Sequence, residues 1–540
     1  MKSMKKVLSI ILAAGISVSC LSACGGGTTK SNAGNAKTGT NDAPVKLTAL
    51  FCKHPLTKDV NKMKWLTDLE KENHVSVEWQ QITADWDQKK PTMFASGEIP
   101  DLLFNATYNA DYSQYNGLFE DLSPLIEQDA PNIQKMFQEH PELKTISTSL
   151  DGKIYSTPKY QRFWPKTNTT MYINKQWLDK LNLAVPTTWD ELYDALVAFK
   201  TKDPNGNGKA DEIPMDFQGF GAYNPQLLLG SEGIQLSDAP VNGYFAEDGK
   251  IKNFFIDDRY KTLIQWMRKC YQAGVIKADT FTNDYSKFQS IARGSGKTAM
   301  VGFTFGWETS DRFGNELKDQ YVAMNQLKVH ADSNDDLRWS DDYYALNYGT
   351  DRIVMSANCQ NKDAAMKFID SFYNPEVSAQ VLWGGMNDTD AGIQKESDGS
   401  YTVLAPKDTS KDAGSWKWEN TFADFGPIYL NDEMKVSLPA DVEAAVKEKS
   451  VYDPLIEKVD PKKDLYPQIF IQYSTDDANT LAVNQANIDN ITGPKWSQWI
   501  TKGGMEKDWD TYVANVKKSG MDQNLEIRQK AYEEYLKSLK

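Results

Sequence analysis

Short apolar runs alternate with a helical period from residue 45 onward, and this alternation constrains the fold more than any other feature. Val45–Leu50 and Val75–Trp79 read as strands, and between them Asp59–Asn73 carries Met63, Leu66 and Leu69 at helix spacing. Strand, helix, strand is how an α/β layer begins. Asp87–Ser96 reads as a helix, and Gly97-Glu98-Ile99-Pro100-Asp101 turns into a third buried strand, Leu102–Phe104. Its end, Asn105-Ala106-Thr107, is where open α/β sheets place ligands. Tyr155–Trp164 reads as extended, Met171–Ile173 as a strand leading into the helix Lys175–Leu181, and Thr188 with Glu191 as a capping box. Gly296–Phe305 and Arg352–Met355 read as further strands, the latter followed by the helix Asn361–Phe372. The last third is mostly helical, ending in Asn524–Leu539.

The residues before this region are an address. Lys2, Lys5 and Lys6 precede the apolar run Val7–Val18, which is shorter than the roughly 20 residues a membrane-crossing helix needs. Residues 1–23 read as a signal peptide, and 24–44, made of Gly, Ser, Thr, Asn and Ala with a few charges, as a flexible tether. Leu21-Ser22-Ala23-Cys24 resembles the bacterial lipobox, which makes Cys24 the expected site of lipidation, a palmitate-type anchor. Cys20 is a weaker candidate, because Ser17 stands where the lipobox has a Leu-like residue.

Sixty Lys and Arg stand against seventy-four Asp and Glu, for a net charge of -14, and no segment concentrates cations. That balance disfavours nucleic acid. The thiols Cys52, Cys270 and Cys359 are odd in number, so no disulfide framework carries the fold. His54, His74, His140 and His330 are scattered and never at helical ligand spacing, which gives zinc or copper little support.

Three segments look like the crossings between lobes of extracellular solute-binding proteins, the binding subunits of ATP-driven importers. They are Tyr172–Leu178 running on to Pro186–Leu192, Gly296–Met300 leading to Gly306-Trp307, and Asp363–Ile369. With the lipobox and the Trp-rich end Trp496–Tyr532, the chain is similar to the carbohydrate-type lipoprotein group whose relatives bind alginate and other oligosaccharides. It departs from that group at Trp499-Ile500-Thr501-Lys502-Gly503-Gly504, where relatives commonly have Phe-Ile-x-Gly. The resemblance implies a two-lobed periplasmic-binding-protein-like α/β fold with interleaved lobes, a hinge and a helical C-terminal extension. The expected N-terminal lobe is 45–160 plus 296–350, and the expected C-terminal lobe is 161–295 plus 351–540. It further implies a monomer, lipid-anchored on the extracytoplasmic face of the cell membrane, closing on an oligosaccharide and delivering it to ABC permease subunits with a separate ATPase.

Asp203-Pro204-Asn205-Gly206-Asn207-Gly208-Lys209-Ala210-Asp211-Glu212 carries oxygen donors at alternating positions, as an EF-hand loop does, but Pro214 stands where the closing Glu belongs. Alginate-binding relatives hold structural Ca2+ in such a shortened loop, which implies ligand roles for Asp203, Asn205, Asn207, Asp211, Glu212 and the Lys209 carbonyl. The competing reading is a solvated Asn/Gly turn.

A sugar site needs aromatic planes beside side chains that form bidentate hydrogen bonds. Among fifteen Trp and twenty-five Tyr, the expected cleft residues are Trp86, Asn105, Tyr160, Arg162, Trp164, Trp307, Glu308, Trp339, Tyr343 and Trp383. Trp307 falls where the family's second crossing carries a ligand-stacking aromatic. Trp177, Trp189, Trp266 and Trp509 read as core. A uronate cargo would call on Arg162, Arg312 and Arg338, while a neutral sugar needs fewer cations. Two rivals stay open: the same fold taking a peptide or another solute, and a glycosidase using Asp341, Asp342 or Glu308. No nucleophile elbow or phosphate loop supports an enzyme.

Overall fold

The strand Val45–Cys52 pairs in parallel with Val75–Ile82 on one side, from Val45 opposite Val75 to Cys52 opposite Ile82, and with Leu102–Phe104 on the other. Ile353–Met355 joins the far side of Leu102–Phe104 in antiparallel register, completing a four-stranded sheet. Val75–Ile82 sits at the edge, and its alternation of buried and exposed residues follows from having one wet face. This computed structural model describes residues 43–219, 221–237, 242–294, 296–334, 336–386, 392–408, 411 and 413–538. The expected signal peptide, Cys20, Cys24 and nearly all of the expected tether lie outside the described residues.

A second four-stranded sheet has the order Tyr321–Met324, Thr170–Asn174, Val301–Gly306, Ile213–Met215. Thr170–Asn174 and Val301–Gly306 are buried along their whole lengths, as expected for strands covered on both faces. Each of these sheets has its own apolar core. One contains Leu66, Phe104, Met366 and Phe372; the other contains Trp189, Phe303, Trp339 and Trp499. The chain passes between the cores from Phe163 to Met171, from Trp339 to Tyr348 and from Met434 to Tyr452.

These pairings correct the expected division into lobes. Residues 296–350 supply Val301–Gly306 and Tyr321–Met324, which pair with Thr170–Asn174 and not with the first sheet. Residues 351–540 begin with Ile353–Met355, which belongs to the first sheet. The expected crossings shift in the same way: Tyr172–Leu178 and Gly306 lie within the second half, and the helix Lys362–Ser371 lies within the first. Apolar runs of similar strength do not encode which sheet they join.

Local signals hold more closely. Thr188 Oγ1 accepts from the Glu191 N–H at 3.1 Å, while the Glu191 carboxylate accepts from the Thr187 N–H at 2.7 Å, one residue earlier than a capping box requires. The expected helix Asp59–Asn73 is broken: Asp59 caps a single turn, Val60–Lys62, and extended Met63 precedes the helix Lys64–Glu72. The C-terminal helices Thr475–Lys502, Met505–Val516 and Asp522–Ser538 bury Trp496, Trp499, Trp509 and Tyr532 in the second core. Gly503 and Gly504, at φ of 78° and 94°, turn the chain between the first two of these helices, and only glycine holds such angles without strain. Cys52, Cys270 and Cys359 are free, the last two buried. No helix of the described residues is long and apolar enough to cross a membrane.

Candidate ligand cleft

A cleft of about 950 Å³ is walled by residues of both halves, a size that suits a small-molecule ligand. Trp307 enters it from the end of the buried strand Val301–Gly306. Trp164 enters from the first crossing, and the two indoles meet edge to face with centroids 6.0 Å apart. Trp383 ends the helix Pro375–Trp383 and packs on Phe163 at 5.8 Å. Its side chain is buried and its indole N–H has no hydrogen-bond partner among the described residues. Trp416 and Trp418, on the helix Ala413–Asn420, and Tyr223 and Tyr285 add further rings to the wall.

Asp424 organises the polar part of this wall. Its Oδ1 accepts from Lys159 Nζ at 3.1 Å, Gln161 Nε2 at 3.0 Å and Trp164 Nε1 at 3.1 Å, and its Oδ2 from Lys417 Nζ at 3.1 Å. Burial acts to raise the carboxyl pKa, but the Lys417 and Lys159 ammoniums and the Trp164 N–H outweigh it and hold the group well below the usual carboxylate range. Lys417 also lies 4.6 Å from the Trp164 ring and 5.4 Å from the Trp418 ring, so one ammonium ties two cleft aromatics to one carboxylate.

Glu308 lines the cleft, but its carboxylate caps the helix Thr309–Phe313, accepting from Ser310 N–H and Ser310 Oγ at 2.6 Å and from the Asp311 N–H. Burial, with Glu448 close by, raises its pKa.

Of the ten residues expected in the cleft, the structure brings together Trp164, Trp307, Glu308 and Trp383 and places six elsewhere. Trp339 is buried in the second core, stacked on Tyr452 at 4.0 Å, with its N–H on Thr167 Oγ1 and the Thr169 carbonyl. Tyr160 is buried on the strand Lys159–Gln161, with its hydroxyl on Asp432 at 2.9 Å. Arg162 donates to the Met434 carbonyl, and Tyr343 packs among Tyr344 and Tyr348. Trp86 donates to the Ala106 carbonyl beneath the first sheet, and Asn105, at φ 49°, bridges the Cys52 carbonyl and Arg352. In every case but Tyr343, which packs among rings, a neighbouring polar group absorbs the side chain. Among the proposed uronate readers, Arg312 is fully buried on Asp216 at 2.7 Å, and Arg338 pairs with Asp336 and Asp464.

In the loop 203–212, Asp203 Oδ1 and Oδ2 accept from the Gly206 and Gly208 N–H groups. Asn205 and Asn207 turn their amide oxygens onto the N–H two residues on and their amide nitrogens onto Asp211. Glu212 is buried, and its Oε1 lacks a partner among the described residues. Burial raises its pKa, and the charges of Asp203 and Asp211 add to the rise. Among the described residues no group of three His, Cys, Asp or Glu is placed to hold a metal ion.

A family model described as bacterial extracellular solute-binding protein matches residues 55–379. The chain belongs to that family. The fructooligosaccharide ABC transporter substrate-binding protein FusA of Streptococcus pneumoniae serotype 4 is 29% identical over 545 residues, covering 98% of this chain and 97% of its own. The structure of an HMO binding ABC-transporter associated solute binding protein from Bifidobacterium longum infantis matches with a TM-score of 0.84 at 34% identity, over 92% of this chain and 100% of that one. FusA in complex with kestose gives 0.80 at 26% identity over 92% and 100%, and the same figures hold for a FusA EF-hand mutant in complex with fructo-nystose. The alginate-binding protein AlgQ2, 18% identical with a TM-score of 0.64 over 91% and 98%, shares the fold.

Within this solute-binding chain, sequence reasoning missed Trp416, Trp418, Tyr223, Tyr285, Lys417 and Asp424. The triplet Trp416-Lys417-Trp418 carried a usable signal, two indoles flanking a cation after a small-residue stretch. Asp424 carried none, because its role depends on Lys159, 265 residues away.

Proposed function

We propose that this solute-binding protein captures a neutral oligosaccharide in the cleft by closure of its two halves and hands it to an ABC permease driven by a separate ATPase. The carrying observation is the wall itself: indoles from both halves supply flat apolar faces, and beside them lie hydrogen-bonding groups already held in place. A ligand that touches both halves favours the closed arrangement by its differential contacts.

The charges support a neutral cargo. Four of the five cations on the wall have a carboxylate partner: Lys159 and Lys417 on Asp424, Arg293 on Asp311 at 3.7 Å, and Lys411 on Glu419, with half-buried Lys318 the fifth. A uronate chain would need uncompensated cations, and Arg312 and Arg338 are committed elsewhere. FusA, a relative that spans nearly the whole chain, is named for fructooligosaccharides. Against glycosidase chemistry, the Glu308 carboxylate is taken up by a helix terminus. Asp342 is buried and accepts from Thr167, Asn168 and Ser340, while Asp341 does not line the cleft.

The N-terminal segment fits export and lipid anchoring at Cys24, which would hold the protein on the extracytoplasmic face of the membrane. In the loop, Asp203, Asn205, Asn207, Asp211, Glu212 and the Lys209 carbonyl would hold Ca2+. The unpartnered Glu212 oxygen supports this, as does the crowding of three carboxylates that a divalent ion would neutralise. Calorimetry with kestose, a neutral gluco-oligosaccharide series and oligogalacturonates tests the cargo. Binding of a neutral sugar alone is the expected result; binding of the uronates alone overturns the neutral assignment.

A further inference from the structure

The helix Ala440–Lys449 lies within the last crossing between the cores, and its two ends do different things. Its N-terminal end, with Pro439 and Val442, lines the cleft. Its C-terminal end reaches under the segment that carries Trp307. The Glu448 carboxylate accepts from the Tyr172 hydroxyl at 2.5 Å, the Thr309 N–H at 3.1 Å and the Thr309 hydroxyl at 2.6 Å. The Lys449 ammonium donates to the Trp307 carbonyl and lies 4.3 Å from the centre of the Trp307 ring. Only 2% of Lys449 is exposed, so this cation is removed from water and directed at one indole.

Resting on the reading of Trp307 as a sugar platform, we propose that Glu448 and Lys449 are positioning residues that fix the Trp307 indole and couple its placement to the third crossing. Neither faces the cargo. Glu448 clamps Thr309 to Tyr172, whose strand pairs with Val301–Gly306, so the strand end and the helix start are held together. Lys449 then sets the indole by a backbone hydrogen bond and by attraction of its charge to the ring face, an interaction that strengthens when water is excluded. Because this helix forms part of the crossing, a change of angle there reaches Trp307 through a rigid element.

The arrangement also makes Trp307 sensitive to pH. Burial brings the Lys449 pKa down to about 7, against the opposing pull of Glu448 on its own helix, Glu308 and Asp311 on the adjoining helix and its cap, and Asp342 on the second crossing. Below that pH the ammonium holds the ring; above it the charge is lost and the hold weakens.

The test uses protein labelled with 5-fluorotryptophan, with the Trp307 resonance assigned by W307A, and calorimetry with kestose. In the wild type the resonance is expected to titrate with a midpoint near 7 and kestose binding to weaken over the same range. Lys449→Met should displace the resonance, abolish its titration and weaken kestose binding about tenfold at pH 6, while Lys449→Arg keeps affinity and removes the titration. In a W307A background Lys449→Met should cost nothing further. A Trp307 resonance that Lys449→Met leaves in place at pH 6 overturns the proposal. If W307A leaves kestose binding intact, the sugar-platform reading fails instead, and the resonance still decides the positioning role.

Discussion

Trp164 and Trp307 stand at 90° to one another with centroids 6.0 Å apart, although one lies on a crossing and the other directly follows a strand of the second sheet. Each has a lysine ammonium against its ring, Trp164 that of Lys417 and Trp307 that of Lys449. The corner of the cleft is therefore built from two indoles whose orientations are fixed independently.

Removing either ring should weaken cargo binding with little change in melting temperature, because both are half-buried at a cleft wall and outside the cores. A Trp face buried by a ligand contributes about 1.5–3 kcal/mol, so Trp307→Ala and Trp164→Ala should each lose about ten- to a hundredfold in affinity. Calorimetry of each variant beside its thermal melt checks this.

Asp424→Asn should affect both stability and binding. An amide presents one accepting oxygen to four donors and sets its own N–H groups against an ammonium, so Lys159, 5% exposed, loses its counter-charge. Breaking such a pair costs about 3 kcal/mol. The sign with pH follows from the depressed carboxyl pKa: the contribution is fully present above the ordinary Asp value of about 3.9 and is lost as pH falls toward the folded value. The melting gap between wild type and variant should hold from pH 7 to 5 and narrow below pH 4.

Much of the secondary structure was legible in the sequence, and the pairing of strands was not. Leu102–Phe104 lies where its apolar run predicts, and Thr188 caps its helix, since turns and caps are set by neighbours in the chain. Val301–Gly306 and Ile353–Met355 were assigned to the wrong halves, because a buried strand reads the same in either sheet. The cleft divides similarly. Trp307 and Trp383 were reachable from a strand end and a Gly-Gly stop, whereas Tyr160 and Trp339 look equally exposed in sequence and are withdrawn by Asp432 and Tyr452.

Arg312 gives a structural prediction in place of the cargo role its charge suggested. It is fully buried, stacked at 3.4 Å on Phe288, and donates to Asp216, Thr304 and the Phe288 carbonyl. Arg312→Met leaves Asp216 as an uncompensated buried acid and should cost about 3–5 kcal/mol, whereas the double variant with Asp216→Leu should recover part of that loss. Urea unfolding of the three proteins measures it.

The loop 203–212 separates a bound ion from a plain turn by the sign of one substitution. Without metal, buried Glu212 has a raised pKa, caused by burial first and then by Asp203 and Asp211. An acid whose folded pKa is raised binds more protons when folded, so the metal-free protein loses stability as pH climbs through the ordinary Glu value of about 4.3 toward the folded value. Bound Ca2+ would reverse this by giving the carboxylate a partner and would stabilise the fold by mass action. At pH 7 the melting temperature should rise with Ca2+ and fall with chelator in the wild type. Glu212→Gln should raise the melting temperature of the chelated protein, by relieving the buried charge, and should lose most of the response to Ca2+. A wild type that melts identically with Ca2+ and with chelator, and a variant that only destabilises, would make the segment a hydrogen-bonded Asn/Gly turn and remove the ion from the protein.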